Sequence, residues 1–114
     1  MLKIYHNSRC SKSRLGLEYL KTKNLEFEII EYLNKPLSFE ELEQLLVKLD
    51  KQPSEMIRTQ EEYYKKELKG EIFSDHELIK IMVENPKLIK RPIVETTTKA
   101  IWAVPAENID ELSL

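Results

Sequence analysis

The sequence predicts an α/β protein in which a mixed sheet carries a helical insertion. One observation is the order of the elements: a strand, a helix and a strand, then a helical stretch, then two strands and a short helix. The other is a polar segment with the only cysteine of the chain, Cys10, between the first strand and the first helix. We expect a single domain over residues 1–114, with the helical insertion at about residues 38–90, because this length suffices for one ordinary core.

The N-terminal part has the pattern of a βαβ unit. Residues 2–5 form a short strand-like run, and a helix-like run extends from about Ser11 to Lys23. Residues 27–33 are rich in β-branched and aromatic side chains, which favours a second strand. Two strands joined by one helix at this spacing pair in parallel, with a right-handed crossover.

The middle of the chain is predicted to be helical. Ser38 and Ser74 each stand three residues before a glutamate and an apolar helical pattern, which is the spacing of a capping box. Between them, residues 61–69 predict an exposed, charged helix that ends at Gly70.

The C-terminal part predicts a β-hairpin and a short helix. Residues 91–95 and 100–104 are the two strands, and Pro105 begins the helix. The whole order is that of thioredoxin-like proteins, which usually have a proline just before the third strand. Pro92 has that position, so we expect a cis bond before it and a backbone that faces Cys10 and holds the substrate.

Cys10 is the candidate nucleophile. A thiol at the start of a helix lies near unpaired backbone N–H groups and the positive end of the helix dipole, and both favour the thiolate. Arg9, Lys12 and Arg14 add positive charge. The alternative is a small, buried and inert cysteine; the polar neighbours argue against it.

Composition excludes several classes of function. A formal charge of −2 and a pI near 5.8 argue against a nucleic-acid partner. No apolar run is long enough for a membrane span, and no secretion signal precedes the first strand. One cysteine permits no internal disulfide, and a reactive thiol is best preserved in a reducing compartment, so we expect a cytoplasmic protein. We predict no metal site and no bound cofactor.

Two segments resemble a known family. Residues 5–14 are similar to the N-terminal motif of the arsenate reductases coupled to glutathione and glutaredoxin, the ArsC family, and residues 88–94 are similar to its second motif. Matches between them include residues 31–33, 35–36, Ser38 and 57–58. The Arg-Cys-Ser-Lys-Ser-Arg run resembles a shorter branch of this family, often only predicted to reduce arsenate.

The resemblance implies an activity and a set of site residues. Cys10 would attack arsenate or a similar oxyanion, glutathione would be the co-substrate, and glutaredoxin would reduce the resulting mixed disulfide. Arg58 and Arg91 match two oxyanion-binding arginines, and His6 matches a histidine near the nucleophile. Further predicted substrate-binding residues are Asn7, Ser13 and Pro92; Asn7 and Ser13 suit helix capping equally well.

Departures from the motif keep two other functions open. The best-characterised branch has a third arginine where this chain has Val104. One alternative is a regulator resembling Spx, which binds RNA polymerase, although its usual second cysteine is replaced by Ser13. The other is a monothiol enzyme resembling glutaredoxin, because Cys10-x-x-Ser13 suits disulfide exchange.

Overall fold

The computed structural model describes residues 2–114 and divides into two compact units. One unit contains the chain up to Lys35 together with Arg91–Leu114, and the other is Pro36–Lys90. The second unit agrees closely with the predicted helical insertion. That the whole chain acts as a single domain stays a prediction.

The first unit is built on a mixed four-stranded sheet. Its strands are β1 (Lys3–Tyr5), β2 (Glu28–Ile30), β3 (Ile93–Glu95) and β4 (Ala100–Trp102), in the order β2-β1-β3-β4. β1 pairs with β2 in parallel, whereas the β1–β3 and β3–β4 pairs are antiparallel. The predicted α/β class, the parallel pair and the hairpin are therefore confirmed, and the arrangement is thioredoxin-like.

The core of this unit lies on one face of the sheet. Ile4 is opposite Val94 in the register of β1 and β3, and because directly paired residues have their side chains on the same side of a sheet, both reach the same face. Helix α1 (Ser11–Lys21) and a C-terminal 3₁₀ helix (Ala106–Leu112) belong to the same unit. The buried cluster consists of Ile4, Leu20, Val94, Ala103 and Ile109. This packing fixes α1 against the sheet.

The predicted second strand is too long. Residues 31–33 lie outside the strand, and residues 32–34 form a turn. The Glu31 carbonyl before it accepts hydrogen bonds from the N–H groups of Asn34 (2.9 Å) and Lys35 (3.1 Å). Tyr32, whose aromatic side chain suggested a strand, is only 1% exposed although it is part of the turn. Helix α1 also ends two residues earlier than predicted, at Lys21, and Asn24 follows with a left-handed φ of 57°.

The second unit is helical. Its main helices are α2 (Phe39–Leu49) and α3 (Asp75–Glu84), with 3₁₀ turns at Pro53–Glu55 and Pro86–Leu88. Both predicted capping boxes are confirmed: the Ser38 and Ser74 hydroxyls accept hydrogen bonds from backbone N–H groups three residues later, at 3.1 Å each.

The charged helix predicted at residues 61–69 has a different geometry. Tyr64–Leu68 is a π-helix, and the Lys69 N–H group donates to the carbonyl of Tyr64 at 2.9 Å, five residues earlier. Gly70 then has a φ of 85°, a left-handed conformation that glycine adopts without a steric penalty. The predicted end of the helix is confirmed, whereas its hydrogen-bonding pattern could not be predicted from charge spacing.

Replacing Ser38 with alanine is expected to destabilise the helical unit by about 1 kcal/mol, because the first turn of α2 loses its side-chain acceptor. Urea unfolding followed by far-UV circular dichroism measures the change. Ser54→Ala is the matched control, since Ser54 is exposed and its side chain has no hydrogen bond among the residues that the structure describes. An equal loss in both variants would contradict a capping role for Ser38.

Candidate functional site

Cys10 lies directly after the loop that follows β1 and is the N-cap residue of α1. Its N–H group donates to the Asn7 carbonyl at 3.0 Å, and its own carbonyl accepts from the Arg14 N–H group at 3.0 Å. The thiol is half-buried and is not part of a disulfide. The backbone therefore holds the sulfur at the N-terminus of the helix, as the sequence predicts.

Several groups act on the thiol. Burial is the largest single influence and raises the pKa of Cys10. The backbone N–H groups of Ser13 and Lys12, together with a hydrogen bond and the charge from Arg91, outweigh it and lower the pKa below its ordinary value. The Cys10 sulfur accepts no capping hydrogen bond from the N–H groups of α1, so these groups act on it mainly as oriented dipoles. The site favours the thiolate.

A buried hydrogen-bond network lies behind the thiol. The Ser13 hydroxyl is fully buried, lies 2.8 Å from Nδ1 of His6, and accepts a hydrogen bond from the Asn7 N–H group at 3.0 Å. The Asn7 side chain in turn accepts from the Arg9 N–H group at 3.0 Å, which fixes the turn before Cys10. These contacts are structural, and roles of His6, Asn7 and Ser13 in catalysis or substrate binding stay predictions.

Burial also governs the protonation of His6. The side chain is 5% exposed, and burial is the main influence that lowers the pKa of His6 below its ordinary value. The negative charge of Glu31 raises this pKa, whereas the positive charges of Arg14 and Lys21 lower it further. The lowered pKa favours the neutral form of His6.

The segment at the start of β3 forms the other side of the site. Arg91 is buried, with 8% of its surface exposed, and its carbonyl accepts a hydrogen bond from Nε1 of Trp102 at 3.3 Å. The Arg91–Pro92 peptide bond is cis, as predicted. The Pro92 carbonyl accepts from the Ala103 N–H group at 3.0 Å. Substrate binding by Arg91 and by the Pro92 backbone stays a prediction.

Sequence reasoning missed the close contact between Gly16 and Pro92. A Cβ atom on Gly16 would lie 2.5 Å from Cγ of Pro92, which is closer than real Cβ contacts, so the glycine lets α1 approach this loop. A glycine inside a helical pattern is the one signal that could have pointed to it, since it usually marks close packing.

Three exposed cations, Arg9, Lys12 and Arg14, flank Cys10 in the sequence. The guanidinium of Arg14 donates to the Ser8 carbonyl at 2.9 Å, so it holds the loop. Arg9 and Lys12 are exposed, and their side chains form no hydrogen bond or ion pair within residues 2–114.

Arg58 belongs to the helical unit. Its Nε donates to Glu61 at 3.1 Å, its side chain is 18% exposed, and its backbone N–H group donates to the Leu88 carbonyl at 2.7 Å. Its predicted part in oxyanion binding stays a prediction. Val104, which replaces the third arginine of the best-characterised branch, has its carbonyl bound by the Asn108 amide at 3.1 Å.

Within residues 2–114, no group of three or more His, Cys, Asp or Glu side chains could hold a metal ion. No helix in the same range is both long and apolar enough to cross a membrane.

Known proteins resemble the chain over almost its whole length. It is 42% identical over 113 residues to the uncharacterized protein YfgD of Escherichia coli K12, covering 97% of this chain and 95% of the relative. It is 40% identical to an arsenate reductase of Haemophilus influenzae, covering 96% of each chain. A solved structure of an arsenate reductase from Vibrio cholerae superimposes with a TM-score of 0.91 at 39% identity, covering 96% of this chain and 95% of that one.

The family comparison agrees with these similarities. The family model described as "ArsC family" matches residues 5–112, which include both β1 and the C-terminal 3₁₀ helix. The match covers both units of the structure. The chain belongs to the ArsC family.

Proposed function

We propose that the protein is an oxidoreductase that reduces arsenate, with Cys10 as its nucleophile. The observation that supports this best is the half-buried thiol whose pKa is lowered by helix N–H groups and Arg91. The names of the relatives from Haemophilus influenzae and Vibrio cholerae support arsenate as the substrate. Arsenate is a tetrahedral oxyanion, and a guanidinium offers it two parallel donors, so Arg91 and Arg58 are the proposed binding groups.

The proposed reaction begins with attack of the Cys10 thiolate on arsenic(V). A sulfur–arsenic bond forms, and one arsenate oxygen leaves as water after protonation. A glutathione thiolate then attacks the Cys10 sulfur, the sulfur–arsenic bond breaks, and its electron pair stays on arsenic. Arsenite, now arsenic(III), departs, and Cys10 is left in a mixed disulfide with glutathione.

An external protein must complete the cycle, because the chain has only one cysteine and therefore no resolving thiol. Glutaredoxin is the proposed reductant: its thiolate attacks the glutathione sulfur and releases the Cys10 thiolate. No bound cofactor is required. The need to keep this thiol reduced also favours the cytoplasm as the site of action.

The remaining predicted residues have supporting roles in this proposal. Neutral His6 and the Ser13 hydroxyl orient the start of α1, as their 2.8 Å contact indicates. Asn7 fixes the turn before Cys10 through its side chain and its carbonyl. The backbone at Pro92, next to Arg91, is proposed to hold the substrate.

Arsenate-dependent NADPH oxidation tests the proposal, with glutathione, glutaredoxin and glutathione reductase supplied in excess. Wild-type protein is expected to show turnover that depends on arsenate and glutathione, and Cys10→Ser is expected to show none. Arsenate-dependent turnover that survives in Cys10→Ser would contradict the mechanism. No turnover in the wild type, with Cys10 still reacting rapidly with disulfides, would favour the enzyme resembling glutaredoxin. An unreactive thiol would favour the regulator.

A further inference from the structure

The outer rim of the site differs from its interior. Arg91 is buried and acts on the sulfur itself, and Arg14 is bound to the loop carbonyl of Ser8. Arg9 and Lys12, by contrast, are exposed on either side of Cys10 in the chain, and within the described residues 2–114 nothing neutralises their side chains. The turn that carries Arg9 is fixed through the Arg9 N–H bond to Asn7, so the backbone from which this side chain extends is held directly before Cys10.

We propose that Arg9 and Lys12 bind the carboxylates of a small anionic thiol co-substrate of the glutathione class. This inference rests on the proposed function and assigns the outer cations to the co-substrate, while Arg91 acts on the oxyanion. When the sulfur of glutathione reacts with Cys10, the carboxylates of the same molecule must come close to the N-terminus of α1. Two uncompensated cations there raise the local concentration of such anions.

The size of the effect follows from the distance. Two cations about 7 Å from the carboxylates of an incoming anion, in surroundings close to water, accelerate its reaction about fivefold together. Such an effect is screened as ionic strength rises, since the Debye length shortens to about 3 Å at 1 M salt. The reaction rate of a neutral reagent depends neither on these cations nor on the salt concentration.

Disulfide exchange with two probes tests this without arsenate. The Cys10 thiolate attacks one sulfur of the probe, the probe's disulfide bond breaks, and the departing half leaves as a thiolate. The anionic probe is oxidised glutathione and the neutral probe is bis(2-hydroxyethyl) disulfide. Because Cys10 is the only cysteine, the mass of the intact protein reports one reaction. The ratio compared is the rate with the anionic probe divided by the rate with the neutral probe. The Arg9→Gln/Lys12→Gln variant is expected to lower this ratio about fivefold at low salt.

Two control variants separate charge from other effects. Leu15→Gln alters a side chain that is 64% exposed three residues after Lys12, on the same helix face, and changes no charge. Lys99→Gln removes a cation from the turn between β3 and β4, at the end of the sheet opposite to Arg91. Both variants are expected to keep the wild-type ratio.

Three results would overturn the proposal: an unchanged ratio in the double variant, an equal fall in either control, or a wild-type ratio that does not decrease at 1 M salt. A lowered ratio in a protein that shows no arsenate turnover would uphold the inference while contradicting the proposed function. Where turnover is present, the double variant is expected to raise KM for glutathione about fivefold with little change in KM for arsenate.

Discussion

Replacing Arg91 with methionine is expected to raise the pKa of Cys10 and to lower kcat/KM for arsenate by about 100- to 1,000-fold. The guanidinium stabilises the anionic form of the sulfur through a hydrogen bond and its charge, so its loss favours the thiol. At pH 7 the variant then contains less thiolate, and alkylation by iodoacetamide slows. At pH values above both pKa values the two rates converge, because both proteins are then fully thiolate. Alkylation rates measured against pH give this pKa directly.

Arg91→Lys is the matched control. Lysine keeps the positive charge but lacks the two parallel donors of a guanidinium. We therefore expect the pKa of Cys10 to stay low while arsenate turnover falls. Because Arg91 is only 8% exposed, circular dichroism must show that both variants are folded. An unchanged alkylation profile in Arg91→Met would contradict a direct action of Arg91 on the sulfur.

The features that the sequence predicted well depend on short-range interactions. Both capping boxes, at Ser38 and Ser74, follow from residues three apart and were confirmed with the expected hydrogen bonds. The N-cap position of Cys10 likewise depends on a strand and a helix that are neighbours in the chain. Strand length was harder to predict, because β propensity mainly reflects burial and packing. Tyr32 is buried and packed although it lies in a turn.

The interior of the site depends on contacts between distant residues. The action of Arg91 on Cys10 joins residues far apart in the sequence. The thioredoxin-like order of elements suggested that the neighbouring Pro92 faces Cys10, and the family resemblance added Arg91 itself. The Gly16–Pro92 contact was not predicted at all, because no local pattern reports which residue approaches a helix from outside. Ser13 suited either capping or substrate binding, and its orientation toward His6 is a tertiary feature.

Ser13→Ala is expected to destabilise the unit that contains the sheet by about 1–3 kcal/mol. The hydroxyl is fully buried, lies 2.8 Å from Nδ1 of His6 and accepts the Asn7 N–H bond at 3.0 Å. Alanine leaves Nδ1 of His6 and the Asn7 N–H group without this hydrogen-bond partner. The space left by one oxygen atom is too small for a water molecule to replace it. Trp102, the only tryptophan, lies in the same unit, so urea unfolding followed by its fluorescence measures the change there.

Ser11→Ala is the matched control for Ser13→Ala. Ser11 is in the same first turn of α1 but is exposed, and its side chain forms no hydrogen bond among residues 2–114. The two substitutions remove the same atom from the same turn of the helix, so their difference mainly reports the buried network. A difference below about 0.5 kcal/mol would mean that the His6–Ser13–Asn7 network contributes little to stability. The expected larger difference would show that the loop presenting Cys10 is held from behind by Ser13.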